Sequence, residues 1–301
     1  MKKVLKLIGK IVGGIIGLVV IAIMTVIMIG YFRFHKTYNI DVSGIEIPTD
    51  EASIARGEHL VQAVAHCGYC HGTDFSGDYI VNNPGKEGIV VAPNLTSGEG
   101  GIGASFTDED WLRALYHGVN GEGRSVIVMP SMFFHVMSEE DITSIIAYMK
   151  TVLPVDNVLS ETKPGPLFYM LIGAGPLAEE MSARVIDHNA PFALAPAEGE
   201  TPEYGEYLVT IGQCRACHGS ELAGGQVNKS APIGPNLTPG GELGVWSKEG
   251  FIETLRTGTT PHGHQLDTFM PWKFFRNMSD TELRAVWAYL QSQPELETQI
   301  P

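Results

Sequence analysis

All four cysteines of this 301-residue chain lie in two copies of one five-residue pattern: Cys67-Gly68-Tyr69-Cys70-His71 and Cys214-Arg215-Ala216-Cys217-His218. A Cys-x-x-Cys-His run reads as an attachment site for c-type haem. Two thioethers fix the porphyrin vinyl groups, and the adjacent histidine reaches the iron with a ring nitrogen. Two copies imply two covalently bound haem c groups and leave no cysteine for disulfides. Four cysteines are also too few for a disulfide scaffold of this length. The competing use of two such pairs is a zinc site with four cysteine ligands. Zinc pairs usually sit about 15–20 residues apart, far closer than these, and zinc leaves both adjacent histidines without a role.

The surrounding sequence repeats too. Gly57-Glu58 recurs as Gly205-Glu206, Pro93-Asn94-Leu95-Thr96 as Pro235-Asn236-Leu237-Thr238, and Met129-Pro130 as Met270-Pro271. Phe133-Phe134 and Met137-Ser138 recur as Phe274-Phe275 and Met278-Ser279. The offset falls from 148 (Gly57 to Gly205) to 141 (Met129 to Met270), so the second copy has shorter loops. A period this long means two domains of about 100 residues, not a solenoid. Length alone agrees with two domains. They are expected at 50–153 and 201–297, joined by a linker at 154–200 and preceded by an anchor at 1–36.

The anchor rests on Ile11 to Phe32, 22 residues without a charge. At about 1.5 Å per residue such a helix spans a hydrocarbon core of about 30 Å. Lys2, Lys3, Lys6 and Lys10 precede it, so the positive-inside rule leaves residues 37–301 on the outer side of a bacterial inner membrane, in the periplasm. A cleaved signal peptide is the competing reading. It has a shorter apolar region and a small-x-small cleavage site, which Met28-Ile29-Gly30-Tyr31-Phe32 does not offer. Gly9, Gly13 and Gly17 form overlapping G-x-x-x-G steps, read either as a helix-packing face or as ordinary membrane-helix glycine. Pro166–Ala178 is a second apolar run, but 13 residues are too few to span, and it reads as a packing or interfacial segment.

The net charge of −14 divides unevenly: residues 1–36 carry six basic and no acidic side chains, and the remainder carries 14 basic against 34 acidic. Nucleic acid is excluded as a partner, because phosphates need a basic face. The acidic body either steers a basic partner or serves solubility alone.

Helices are expected at 52–65 and 203–212, each running into a cysteine motif. Thr107 and Ser247 read as caps of a middle helix. Ser138-Glu139-Glu140-Asp141 and Ser279-Asp280-Thr281-Glu282 resemble capping boxes. His71 and His218 supply one axial ligand each. For the sixth position the repeat selects Met129 and Met270, each before a proline and ahead of the last helix. A thioether opposite histidine raises the reduction potential and fills the coordination sphere, as electron transfer needs. Met132 has Lys273 as its counterpart, while Met137 and Met278 sit at a helix start and read as core. Pro93 and Pro235 are placed to offer carbonyls to the haem histidines. His59, His66, His117, His135, His188, His262 and His264 have no matched ligand partner and read as surface or packing residues. Asn94-Leu95-Thr96 and Asn236-Leu237-Thr238 match a glycosylation sequon, but their place in the repeat favours a structural loop.

The run Arg56-Gly57-Glu58-His59-Leu60 before the first motif, then Pro93-Asn94-Leu95-Thr96, Gly101-Ile102-Gly103, Phe106-Thr107-Asp108-Glu109-Asp110-Trp111, Met129-Pro130 and Ser138-Glu139-Glu140-Asp141, resembles the class I cytochrome c superfamily. More closely, it is similar to membrane-bound multihaem cytochrome c subunits of bacterial alcohol, aldehyde and gluconate dehydrogenases. The resemblance covers about 50–153 and 201–294. It implies an all-α fold, a tandem pair of class I cytochrome c domains behind an N-terminal transmembrane helix, with His/Met iron and an electron-carrying role. Those subunits typically carry three haems, against two motifs here. The expected function is a membrane-anchored dihaem relay without catalytic residues of its own. It would lie between a respiratory donor, a dehydrogenase or quinol-oxidising complex, and an acceptor such as a terminal oxidase or soluble cytochrome. The alternative is a dihaem peroxidase-type enzyme, which needs an open iron position.

Overall fold

The computed structural model describes residues 2–178, 180–227 and 231–299. The N-terminal apolar run forms helix α1 (Lys2–Phe34), 33 residues long. Its side chains point outward along almost its whole length, with Leu18 69% and Ile21 64% exposed. It is long and apolar enough to cross a membrane. Gly9, Gly13 and Gly17 meet no neighbouring atom within 4 Å, so the helix that packs on α1 within the chain does not use them.

The first repeat comprises α2 (Glu51–His59), α3 (Gly68–His71), β1 (Asp78–Asn83), β2 (Gly88–Ala92), α4 (Asp108–His117), α5 (Ser131–Phe134) and α6 (Glu139–Met149). β3 (Lys163–Pro164) and α7 (Pro166–Ala174) follow. The second repeat comprises α8 (Pro202–Ile211), α9 (Cys214–His218), α10 (Lys248–Thr257), α11 (Trp272–Phe275) and α12 (Asp280–Ser292). Helix dominates, as the periodicity requires. The antiparallel sheet β1-β2-β3 was not anticipated. Ile80-Val81 and Ile89-Val90-Val91 are β-branched runs flanking a Pro84-Gly85 turn, which favours a hairpin over a helix.

The caps form as the sequence indicates. Thr107 and Asp110 make a reciprocal capping box on α4, and Ser279 and Glu282 make another on α12. Ser138 caps α6 and Ser247 caps α10 through single bonds to Asp141 N and Gly250 N. Glycine sets the helix crossings. A Cβ on Gly57 would lie 1.9 Å from Ser144 O, and one on Gly205 would lie 2.0 Å from Ala285 O. Helices α2 and α6 therefore cross backbone to backbone, and α8 and α12 cross in the same way.

One difference between the repeats has a visible cause. Cys67 lies ten positions after Gly57, and Cys214 nine after Gly205. The extra residue is absorbed in a wider π-type turn, Leu60–Val64, directly after α2. A single-residue insertion in a helix commonly takes this form.

The two repeats share one apolar core. Leu60, Val61, Trp111, Met137 and Ile145 of the first belong to the same cluster as Tyr204, Leu208, Ile211, Phe275 and Leu290 of the second. A smaller cluster gathers Phe34, Val90, Phe168, Ile172 and Met181. The segment expected as a linker is thus built into the first repeat, with Ile172 and Met181 fully buried.

Candidate functional site

Each cysteine motif is a single helical turn held between left-handed residues. His66 (φ 42°) and Gln213 (φ 60°) precede the first cysteine, and Gly72 (φ 77°) and Gly219 (φ 80°) follow the histidine. A non-glycine residue at positive φ is strained and persists only where its surroundings dictate it. Both copies impose it at the same place. None of the four cysteines is in a disulfide. Burial pushes the Cys67 and Cys214 thiols up to about 12 and raises those of Cys70 and Cys217. These are environments for an uncharged sulfur, which a thioether is.

The histidines are buried and held by one matched bond each. His71 Nδ1–H donates to Pro93 O at 2.9 Å, and His218 Nδ1–H donates to Pro235 O at 2.8 Å. That tautomer leaves each Nε2 with its lone pair free. Burial lowers both pKa values despite the opposing carbonyl bond, so both rings stay neutral, the form that binds a metal. The proline loops are fixed by their own neighbours. Asn94 Nδ2 donates to Val155 O at 2.7 Å, and Asn236 Nδ2 donates to Leu296 O at 2.8 Å. Both asparagines are almost fully buried, at 1% and 4% exposure, as a structural loop requires and a glycosylation site does not.

Met129 and Met270 are half-buried and pack against the main core, each just ahead of its short helix, α5 or α11. Met137 and Met278 lie inside that core at 0% and 5% exposure. Ser182 Oγ donates to Met129 O at 2.8 Å, so the former linker braces the first methionine loop. The loop before Met270 is largely exposed from Pro261 to Phe269.

Among the described residues, several buried polar atoms have no protein partner: the indole nitrogens of Trp111, Trp246 and Trp272 and the hydroxyl of Tyr116. Unpaired buried donors are costly, and carboxylates such as those of a bound haem would be suitable partners for them. With paired thiols and a free histidine nitrogen in each turn, the residues present fit a haem in each repeat.

The first motif abuts the second methionine loop. Tyr69 donates to Phe269 O at 3.2 Å, next to Met270. A Cβ on Gly68 would lie 3.1 Å from the Phe274 ring.

A crosswise network of polar side chains links the repeats, and sequence reasoning missed it. Arg56 donates to both oxygens of Asp141 in its own repeat, while Tyr207 reaches Asp141 from the other repeat at 2.6 Å. Tyr204 bonds Glu282 in its own repeat at 3.4 Å, and His59 reaches Glu282 across the interface at 2.7 Å. Burial alone would lower the Arg56 pKa, but the bond and charge of Asp141 raise it. Burial raises that of Glu282, but His59 first, with the Ser279 N–H and Arg56, together more than reverse this, so it lies below the usual carboxylate value. The available signal was positional: Arg56 and His59 match Tyr204 and Tyr207, and Asp141 matches Glu282.

His117 and His188 pair Nδ1 to Nδ1 at 3.2 Å. Because His188 Nε2–H donates to Ala183 O, its Nδ1 accepts from His117. Burial, then His188, pushes His117 down to about 4.

Comparison with known proteins bears on both repeats. Residues 203–294 match the family model described as Cytochrome c, and residues 52–149 match that of Cytochrome C oxidase, cbb3-type, subunit III. The chain is 28% identical over 266 residues to the fructose dehydrogenase cytochrome subunit of Gluconobacter japonicus, covering 80% of this chain and 53% of that protein. It is 29% identical over 278 residues to a diheme cytochrome c-type protein of Cereibacter sphaeroides, covering 83% and 88%. It is 31% identical over 151 residues to the cytochrome c subunit of alcohol dehydrogenase (quinone) of Gluconobacter oxydans, covering 47% and 29%. The chain thus spans about half the length of the fructose dehydrogenase subunit and less of the alcohol dehydrogenase one.

Proposed function

Residues 52–149 and 203–294 are two cytochrome c domains, which together carry two covalently bound haem c groups, and from this premise we propose that the chain is a membrane-anchored dihaem electron relay. Haem c, when bound, supplies a one-electron Fe(III)/Fe(II) couple. The protein's part is to hold, tune and align two of them.

In this reading Cys67, Cys70, Cys214 and Cys217 would hold the two haems covalently, and His71 with Met129 and His218 with Met270 would supply the iron ligands. The carrying observation is the matched bond from each histidine to a proline carbonyl. It fixes ring orientation and makes Nε2 a stronger donor to a metal. A methionine thioether as the second ligand would favour the reduced state and leave no open position on the iron. The contact of Tyr69 and Gly68 with the Met270 side of the second domain supports direct exchange between the two centres.

The lysines in the first turns of α1 and the outward-facing apolar length of that helix support an inner-membrane anchor with both domains in the periplasm. The donor is then a membrane dehydrogenase or quinol-oxidising complex, and the acceptor a terminal oxidase or soluble cytochrome. The relatives named as dehydrogenase subunits support redox protein partners of that kind. The test is purification in mild detergent, intact mass, and spectra of both oxidation states. Two haems per chain, low-spin ferric iron and reduction without peroxide turnover are expected. High-spin ferric iron with peroxide turnover would overturn the relay in favour of a peroxidase.

A further inference from the structure

We propose that α7 and the turn after it dip into the outer leaflet of the phospholipid bilayer beside α1, as a second membrane element that sets the height and tilt of the first domain. The inference rests on the reading of α1 as the membrane anchor.

Four observations carry it. First, no Asp, Glu, Lys, Arg or His lies between Lys163 and Glu179. Second, α7 runs antiparallel to the outer end of α1 in backbone contact. A Cβ on Gly30 would lie 1.7 Å from Tyr169 O, and one on Gly173 would lie 1.9 Å from Val26 O. From Gly30 back to Val26 is one turn, so the end of α7 lies about 6 Å deeper along the apolar run. Interfacial elements bury by about 5–10 Å.

Third, aromatic rings mark the level at which α7 enters. Tyr169 lies 5.6 Å from Tyr31, 5.8 Å from Phe34 and 6.2 Å from His35, centroid to centroid. Such rings sit at headgroup level in membrane proteins. Residues past Tyr169 lie on the membrane side of them.

Fourth, much of the backbone at the tip finds partners within the protein. Arg33 donates to Ile172 O at 2.8 Å and to Gly173 O at 3.1 Å. Gly175 and Leu177 N–H groups share Leu171 O, Ala178 N–H takes Gly175 O, and Arg184 takes Ala178 O. Helix-end carbonyls at a wet surface are served by water, whereas hydrocarbon requires internal partners. Leu167, Met170, Leu171 and Ala174 fall at helical spacing on the stripe not pressed against α1, and Phe168 and Ile172 anchor the other side in the smaller core. Because Ile127 pairs with Met181 and Ser182 holds Met129 O, the wedge is joined to the first methionine loop.

The test uses the full-length haem-loaded protein in phosphatidylcholine–phosphatidylglycerol nanodiscs. Photo-reactive p-benzoylphenylalanine replaces Leu171, Ala174, Val20 or Leu194, one at a time, and lipid adducts are read by mass spectrometry after irradiation. An unchanged haem spectrum reports that each variant is folded, and Ala174, exposed in the structure, backs up Leu171. Adduct yield at Leu171 and Ala174 should match that at Val20 and exceed that at Leu194 by at least about tenfold, because only the first three positions meet lipid. Adducts at Val20 but not at 171 or 174 would overturn the wedge and leave the anchor standing. Absence at all three would overturn both.

Discussion

Replacing Gly57 or Gly205 with alanine tests the duplicated architecture at its tightest point. The added Cβ would sit 1.9 Å from Ser144 O in the first domain and 2.0 Å from Ala285 O in the second. Both obstacles are backbone atoms on a packed helix, so no side chain can rotate away. Ordinary contact requires more than 3 Å, and the helices must separate by over 1 Å. Overpacking of this kind costs about 1–3 kcal/mol, and more where backbone must move. Alanine returns up to about 1 kcal/mol of helix propensity. A net loss of about 2 kcal/mol is the expected result for either variant. Because both repeats share one core, about 2–4 °C per kcal/mol applies, and Tm falls by roughly 4–8 °C. The assay is a thermal melt of the haem-loaded chain followed by Soret-region circular dichroism, with Gly13→Ala as a control, since a Cβ there would meet no atom of another described element within 4 Å. A Tm within about 2 °C of the parent for both variants would refute the backbone-to-backbone crossing.

Further expectations follow from the site and the interface. Met129→Ala or Met270→Ala should give one high-spin haem each and a lowered potential at that haem alone. Met137→Ala, at 0% exposure, should keep both spectra and lose about 2–5 kcal/mol of stability. A spectral change from Met137→Ala with none from Met129→Ala would reverse the assignment. Glu282 has its folded pKa held below the ordinary 4.5, so its contribution to stability is present above that value and lost as pH falls through the folded value. Glu282→Gln should cost about 1–3 kcal/mol at neutral pH and flatten acid unfolding below about pH 4.5, read by denaturant melts at several pH values. An unchanged acid profile would count against the His59–Glu282 bond. Tyr69→Phe removes the bond to Phe269 O and should shift the potential of the second haem only; an equal shift at both would point to a general loosening.

What could be read from the sequence was short-range chemistry. Cysteine spacing and the Ser and Thr caps each depend on residues within a few positions, and the structure forms the caps and sets each cysteine motif in a single helical turn. The crosswise network was hidden because it joins residues far apart, His59 to Glu282 and Tyr207 to Asp141. It was also masked by divergence, since matched positions carry Arg against Tyr and His against Tyr. The glycine steps at 9, 13 and 17 drew attention to one stretch of α1, while the contact made within the chain uses the isolated Gly30 and Gly173. The β-hairpin was missed because two short β-branched runs sit in an otherwise helical pattern.

The crosswise bonds have the form of an isologous interface, in which residue i of one unit meets j of the other and j meets i. His59 to Glu282 and Tyr207 to Asp141 are one contact seen from its two ends. Such a pseudo-twofold places equivalent faces of the domains together, and the face used here includes the first cysteine motif and the second methionine loop. A true twofold dimer keeps its two sites identical, whereas a fused chain lets them diverge, and here they have. The first methionine loop is braced by Ser182 and tied to the smaller core below it. Its counterpart, Pro261 to Phe269, stays largely exposed. For the proposed relay, the shared interface accounts for exchange between the haems. On that proposal the unequal loops would make the two ends of the relay unlike, the first methionine loop being braced and the second exposed.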